Sequence, residues 1–418
     1  MAQLTDDSFA FGGKLMPVDD AVAILSARVK PVEEVEAVDL RHADGRILAR
    51  DIVAPSPLPP FTNSAVDGYA VRSRDLARSA PLVFQVEGRV QAGAHAVEAI
   101  APGRAVRIFT GAPMPEGADT VFMQEDVRLE AGGAVVLPSG LRAGANVRAI
   151  GEDIPAGATA LKAGRRLRPQ DVALAAALGL TQIEARRRIR VAVFSTGDEI
   201  ISPGDSRGAS QLFDSNRFML FAMATRFACE VSDLGILPDD RASLTAALRQ
   251  AAGAHDLIVT TGGVSTGEED HVKAAVEAAG SLVQWRMAIK PGRPVAMGVI
   301  EGTAFIGLPG NPVASFVTCA HVVRPTILAL AGAMQEKLIP MPVSAAFGYK
   351  KKMGRREYVR VNLRKNAAGG LEAVKFPREG AGLLSSLVET DGLVELGEEI
   401  TLVEPGQTVG FLSYASLS

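Results

Sequence analysis

Two acidic clusters and one basic turn carry the residue types best suited to chemistry in this 418-residue chain. Asp198-Glu199 and Glu268-Glu269-Asp270 each lie just past a run with the composition of a buried strand. Carboxylates repel phosphate directly. They do hold Mg2+ through hard oxygen ligands, and the ion then bridges to phosphate oxygens. The competing role is helix capping, which is worth about 0.5–2 kcal/mol per acid. One acid per loop would suffice for that, so the surplus favours a cation site. Ile289-Lys290-Pro291-Gly292-Arg293-Pro294 sets two cations around a Pro-Gly turn. Lys290 offers a point charge and Arg293 a planar fork for an oxyanion. A solvated basic turn is the equally weighted alternative. Covalent serine chemistry is disfavoured, because Ser195, Thr196 and Ser265 lack a Gly-x-Ser-x-Gly elbow and a clear His partner. The five histidines are scattered, and His271, beside Asp270, reads as a helix start.

The elements that must position these groups follow from the same stretch. Val191 to Phe194 runs into Ser195-Thr196-Gly197-Asp198-Glu199. Asp256 to Val259 runs into Thr260-Thr261-Gly262-Gly263-Val264-Ser265, and Ala304 to Gly307 into Leu308-Pro309-Gly310-Asn311-Pro312. Ligands of open α/β sheets bind beyond the carboxyl ends of strands, where glycine lets backbone N–H groups approach an anion. Strands at 190–194, 229–234, 256–260, 282–287 and 303–307 alternate with helices at 215–227, 241–252, 270–279 and 311–331. That alternation predicts a parallel sheet with helices on both faces. Before it, strand-sized runs at 83–86, 105–109, 120–123 and 134–137 predict a small all-β unit, and β character returns after Pro340 as a small barrel or sandwich. A helix is expected over 17–29 and an Ala-rich one over 171–178, stopped by Gly179. Ala54 to Phe61 holds four prolines and is either a domain boundary or a rigid surface loop. Asn63 to Ala70 is polar, but Asx turns account for Asn63 and Asp67. Thr110-Gly111 and Arg148 to Asp153 read as surface turns. Trp285 and the methionines read as core.

The net charge of −3 argues against a nucleic-acid partner. Cys229 and Cys319 are the only cysteines, which reads as two small buried residues in a reducing compartment rather than a zinc site. No stretch approaches the ~20 apolar residues of a membrane span, and the first residues have no apolar leader. The expectation is a cytoplasmic protein without a membrane partner.

Taken in order, Asn63-Ser64-Ala65-Val66-Asp67-Gly68-Tyr69-Ala70, Thr110-Gly111-Ala112-Pro113, Gly151-Glu152-Asp153, Ser195-Thr196-Gly197-Asp198-Glu199, Thr261-Gly262-Gly263-Val264-Ser265 with Asp270, Lys290-Pro291-Gly292 and Gly307-Leu308-Pro309-Gly310-Asn311-Pro312 resemble the motifs of molybdopterin molybdenumtransferases. This is the MoeA family, which includes the E domain of gephyrin. The resemblance covers essentially the whole chain, the last part by position and β character. It implies a homodimer of four-domain subunits: a discontinuous N-terminal domain (1–53 and 146–185), a β-rich insertion (54–145), an α/β molybdopterin-binding domain (186–334) and a β-barrel-like C-terminal domain (335–418).

It also implies an enzyme that inserts molybdate into adenylylated molybdopterin and releases AMP with Mg2+ present. Its partners would be adenylyl-molybdopterin, molybdate, a second copy of the chain, and the adenylyltransferase of the preceding step. By motif, Asp67, Thr110, Glu199, Asp270 and Lys290 are expected to be catalytic. Arg148, Asp153, Ser195, Thr196, Gly197, Gly262, Gly263, Ser265, Arg293, Pro309, Gly310, Asn311, Arg355 and Ser385 would bind substrate, and Glu199, Asp270 and Asp239 would bind the metal. Asp67 and Thr110 are expected to reach the site of the partner subunit. Arg293 departs from the Lys of many relatives, keeping the charge but changing its geometry. Arg148 lacks the further arginines that follow it in some. Two rival readings are adenylylation of molybdopterin by ATP, which the extra domains disfavour, and a non-catalytic scaffold, for which no long linker or appended region is visible.

Overall fold

The computed structural model describes residues 15–28, 30–76, 82–94, 98–263 and 271–417. Its central sheet contains β1 (Arg190–Thr196), β2 (Glu230–Leu237), β3 (Leu257–Thr261), β4 (Gly280–Arg286), β5 (Pro294–Ile300) and β6 (Thr303–Leu308). They lie in the order β2-β1-β3-β6-β5-β4. Residues alternate between two cores, as the period of a strand requires. Val191, Val193, Leu257, Val259 and Ile306 pack with Leu220 and Met223 of the helix Asn216–Arg226. Ala192, Phe194, Ile258 and Phe305 pack with Leu244, Leu248, Val272 and Val276 on the other face. β2 and β3 flank β1, so the chain reverses its direction of winding between β1 and β3, which is where such sheets open a crevice.

The sheet is mixed, not wholly parallel. β1, β2, β3 and β6 run together, but β5 is antiparallel to both β4 and β6. Glu301 (φ 46°) and Gly302 (φ 95°) join β5 to β6 in a two-residue hairpin of the mirror-image type. A hairpin needs no crossover helix, so strand–helix alternation could not reveal β5. Residues 312–330 form one helical run with a π turn at Cys319–Val323. Contrary to expectation, this 19-residue run is long and apolar enough to cross a membrane, but 89% of it is buried inside the protein, as in a core helix.

The β-rich unit is a six-stranded sheet in which Gly68–Val71 lies between Thr120–Met123 and Arg104–Ile108. That strand is fully buried. Its first residue must be glycine, because a Cβ there would stand 1.8 Å from the Phe122 carbonyl oxygen. Residues before and after this unit pair with each other: Val35–Asp39 with Gln182–Arg186, and Ile52–Val53 with Thr159–Leu161. The C-terminal strands Met341–Ala345, Arg356–Lys365, Leu371–Lys375, Gly392–Leu396 and Thr408–Ser413 close into a five-stranded barrel around Val343, Val361, Val394 and Phe411. Cys229 and Cys319 are buried and free. The methionines divide: Met287 and Met297 are core, while Met334 and Met353 are exposed. The backbone of Trp285 lies in β4, and its side chain is outside the described residues.

Candidate functional site

β1, β3 and β6 are adjacent and parallel, so their three terminal loops converge. At the β1/β3 reversal the contact is tight: a Cβ on Gly262 would lie 2.8 Å from the Thr196 carbonyl oxygen, and Gly262 has φ +87°. A Cβ added to Gly310 would lie 3.8 Å from Gly262 Cα. Asn216, at the start of the helix after β1, ties two of these loops together. Its Nδ2 donates to Thr261 Oγ1 (2.9 Å) and to the Gly310 carbonyl (2.7 Å). Its Oδ1 and the hydroxyls of Ser195 and Thr260 are buried with no partner among the described residues. Orphaned buried polar atoms are costly and mark places where a ligand or water completes the set. Thr196 Oγ1 donates to Asp239 at 3.2 Å. Glu199 is exposed and folds back over Gly197, where a Cβ would meet its Oε2 at 2.6 Å. Ser265 and Asp270, with Glu268 and Glu269, lie outside the described residues. Among the described residues no three His, Cys, Asp or Glu side chains group as metal ligands.

The basic turn is built into a second feature. Ile289-Lys290 pairs in parallel with Arg356-Glu357 of the barrel, which places the turn between the α/β unit and the barrel. Lys290 Nζ donates to Tyr349 Oη (3.1 Å) and lies 3.2 Å from Glu357 Oε2. The Tyr349 hydroxyl donates to Glu357 Oε2 (2.7 Å), and Arg355 Nε donates to Glu357 Oε1 (2.6 Å). Glu357 is almost fully buried at 1% side-chain exposure. Burial pushes its carboxyl up, but Tyr349, Arg355 and Lys290 outweigh it and hold it below the usual carboxylate range. Burial likewise pulls the Lys290 ammonium down, and the Tyr349 hydrogen bond with the Glu357 charge raises it overall. The Tyr349 and Glu357 contacts thus favour the charged form of Lys290.

Beside this cluster opens a cavity of about 420 Å3, lined by Lys290, Pro291, Gly292 and Arg293, by Pro309 and Asn311 of the third strand-end loop, and by Tyr349, Arg355, Arg360, Lys375, Arg378 and Glu379 of the C-terminal unit. Val313 N–H donates to the Ala381 carbonyl (2.9 Å), docking the 378–382 segment on the helix that starts at Pro312. The lining is strongly cationic, and Arg293 and Arg378 are exposed. Such a site takes an anion.

The motifs of the β-rich unit form a separate group. Asp67 Oδ1 accepts from both the backbone N–H and the hydroxyl of Thr110, each at 2.8 Å. These bonds, Thr110 backbone first, with the Arg107 charge a lesser cause, hold its carboxyl below the ordinary range. The local Asx turn expected for Asp67 is thus replaced by a contact 43 residues away. Asn63 keeps a local bond to the Phe61 carbonyl. Asn63-Ser64 pairs with Val147-Arg148, so Asp67, Thr110 and Arg148 share one region. Arg148 and Asp153 are exposed. No described residue of this unit lines the Lys290 cavity within the chain, and neither does Ser385, which is exposed at the start of a short helix. Tyr349, Glu357, Arg360 and Asn216 were not singled out by sequence. The one available signal was the charge run Arg355-Arg356-Glu357 next to a strand.

Three converging strand-end loops, one of which also lines a cationic cavity against the barrel, define a multidomain protein suited to a polar, anionic ligand. Comparisons with known proteins narrow this. Residues 16–179 match the MoeA N-terminal region (domain I and II), 192–329 match a "probable molybdopterin binding domain", and 342–414 match the MoeA C-terminal region (domain IV). The chain is 38% identical to the molybdopterin molybdenumtransferase of Haemophilus influenzae over 94% of its length and 98% of that protein. It is 36% identical to the Nostoc molybdopterin molybdenumtransferase over 72% of this chain and 70% of that one. The crystal structure of the molybdopterin biosynthesis MoeA protein from Pyrococcus horikoshii superimposes with a TM-score of 0.80 at 30% identity, covering 96% of this chain and all of that one. The chain belongs to the MoeA family of molybdopterin molybdenumtransferases.

Proposed function

We propose that this protein acts in molybdenum cofactor biosynthesis, inserting molybdate into adenylylated molybdopterin and releasing AMP. The observation that carries the reading is the cationic cavity between Lys290, Arg355 and the loop of Pro309 and Asn311, one of the three converging strand-end loops. An extended anionic substrate would lay its pterin and phosphates along the Gly262, Gly263 and Gly310 loops, with Ser195, Thr196 and Asn311 supplying hydrogen bonds. Lys290, Arg293 and Arg355 would neutralise the anions, the oxyanion molybdate among them. Ser385 and Asp153 are assigned to substrate by motif alone. Glu199 and Asp239 stand on the ends of neighbouring strands as hard oxygen donors, which suits Mg2+ completed by phosphate oxygens and water. Asp270 is added on motif. When bound, that ion would supply charge neutralisation at the phosphoanhydride. Asp67, Thr110 and Arg148 would complete the site from the second subunit of a homodimer.

The test is AMP release by purified protein given adenylyl-molybdopterin, Mg2+ and molybdate. Release should depend on molybdate, and well-folded protein that gives none refutes the reading. Asp67→Ala and Glu199→Ala should keep the fold and cut turnover about tenfold or more, the scale of one lost electrostatic partner. Wild-type turnover in both would refute the residue assignment.

A further inference from the structure

At the end of the central sheet opposite the strand-end loops, a groove of about 710 Å3 opens where β1 and β2 begin. Arg165, Arg166, Arg168, Arg188 and Arg226 line it, and its lining acids are Asp44 and Glu336. Part of this charge is used structurally. Arg166 Nη2 donates to the Arg226 carbonyl (3.0 Å) and Arg188 Nη1 to the Ala228 carbonyl (3.4 Å), both at the C-terminal end of the helix Asn216–Arg226. Arg165 and Arg168 share Asp171, at 2.8 and 3.2 Å. Glu336 lies 2.7 Å from Arg324 and 3.9 Å from Arg166.

The balance stays positive. Among the described residues, and counting Arg324 and Asp171 with the lining, six guanidiniums meet three carboxylates, Arg226 also having a contact of its own. Like charges gathered within the screening distance of about 8–10 Å repel one another, which disfavours such a groove unless an anion enters. Arg165 also has its Nε buried with no hydrogen-bond partner among the described residues, a cost that an acceptor would relieve. The positive field reaches Cys229: burial pushes its thiol up to about 12, while Arg166 and Arg188 pull the other way. No aromatic side chain is among the described lining residues, which offer no surface to stack a base. Guanidinium forks instead match phosphate oxygens in pairs.

We propose that this groove binds a small polyphosphate anion through its phosphates alone, at a site separate from the Lys290 cavity. Inorganic pyrophosphate and the phosphate chain of a nucleotide share that chemistry.

Calorimetric titration of the full-length protein with inorganic pyrophosphate at low salt should resolve two sites per chain. Lys290→Ala with Arg355→Ala should remove one site. Arg166→Gln with Arg188→Gln and Arg226→Gln should weaken the other by about tenfold or more, as expected when charge-assisted hydrogen bonds are lost. ATP should compete at the second site as well as pyrophosphate does, and AMP poorly. Arginine modification of the wild type by phenylglyoxal, mapped by mass spectrometry, needs no variant to fold. Pyrophosphate should slow modification of Arg166, Arg188 and Arg226 several-fold. Unprotected arginines, or binding abolished by the Lys290 and Arg355 changes alone, would overturn the proposal. So would a change of oligomeric state in the triple variant, which would assign the groove to a second copy of the chain.

Discussion

Glu357 shows how one buried carboxylate organises the candidate site. It receives Tyr349 and Arg355 as hydrogen-bond donors and holds Lys290 at 3.2 Å. A lone carboxylate with 1% side-chain exposure would be unfavourable; surrounded by these donors it fixes two cations at the mouth of the cavity. Glu357→Gln keeps the shape and removes the charge, leaving Lys290 and Arg355 facing each other. The expected loss is about 1–3 kcal/mol in urea unfolding, since both cations retain some access to water. The sign with pH follows from the lowered folded value: the Glu357 contribution is complete above the ordinary 4.5 and disappears as pH falls through the folded value. A Gln variant as stable as wild type at pH 7 would show that the cluster does not depend on this charge. Lys290 was readable as a candidate because it lies in a short local pattern, while Arg355 was carried over only by its position in the C-terminal part. Glu357 and Tyr349 were not readable, because their meaning comes from a pairing between Ile289-Lys290 and Arg356-Glu357 that no local period announces.

Among the secondary-structure elements, the helical run 312–330 and the turn 287–293 carry the constraints. The π turn at Cys319–Val323 places His321 in the core, its ring centroid 4.3 Å from that of Tyr358 and its Nε2 without a partner. Tyr358 donates onward to Glu395 at 3.0 Å. Burial, then the charges of Arg356 and Arg324, lower His321 from 6.5 to about 3, against a smaller opposing pull from Asp19. The unfolded chain therefore binds a proton near pH 6.5 that the folded protein refuses until about pH 3. Stability from neutral His321 is complete above 6.5 and falls on acidification at about 1.4 kcal/mol per pH unit. Between pH 7 and 5 this amounts to about 2 kcal/mol, and His321→Phe should lose that part of the pH slope in urea titrations. An unchanged slope would remove His321 from the account.

Gly292 constrains the basic turn itself: it has φ +112°, and a Cβ would lie 2.5 Å from Thr318 Cγ2. Gly292→Ala should cost about 2–4 kcal/mol through strain and overlap. Thr318→Ser, which removes that methyl and keeps the hydroxyl bond to Ala314, should restore part of it in thermal melts. No rescue would mean that the overlap is not the cause. The elements that sequence could read were those with a strong period: β1, β3, β6 and their helices. β5 and the strand Gly68–Val71 escaped because one is joined by a two-residue hairpin and the other is short, glycine-led and preceded by polar residues that also make turns.

At the scale of the whole molecule, the α/β unit, the N-terminal helix and the barrel are joined by specific contacts. Arg356 pairs with Asp19 at 2.7 Å and with Glu398 at 3.2 Å, and Met16 bridges Met287 beside the basic turn. Asp67 and Thr110 instead belong to the β-rich unit and do not line the Lys290 cavity of their own chain. If the proposed function holds, their carboxylate and hydroxyl enter the site of a second subunit, and the geometry makes a distinctive prediction. Asp67→Ala and Glu199→Ala homodimers should each turn over about tenfold or more slowly than wild type. In a mixed dimer purified through two different tags, one site combines the intact Glu199 of the first chain with the intact Asp67 of the second. The other site lacks both. A two-fold dimer of this kind should recover about half of wild-type AMP release. If Asp67 and Glu199 serve the same site from one chain, every site in the mixed dimer lacks one of them and nothing is recovered. Ultracentrifugation of the mixture, run beside the assay, establishes that the dimers have formed, so that lack of recovery counts against the shared site and not against assembly.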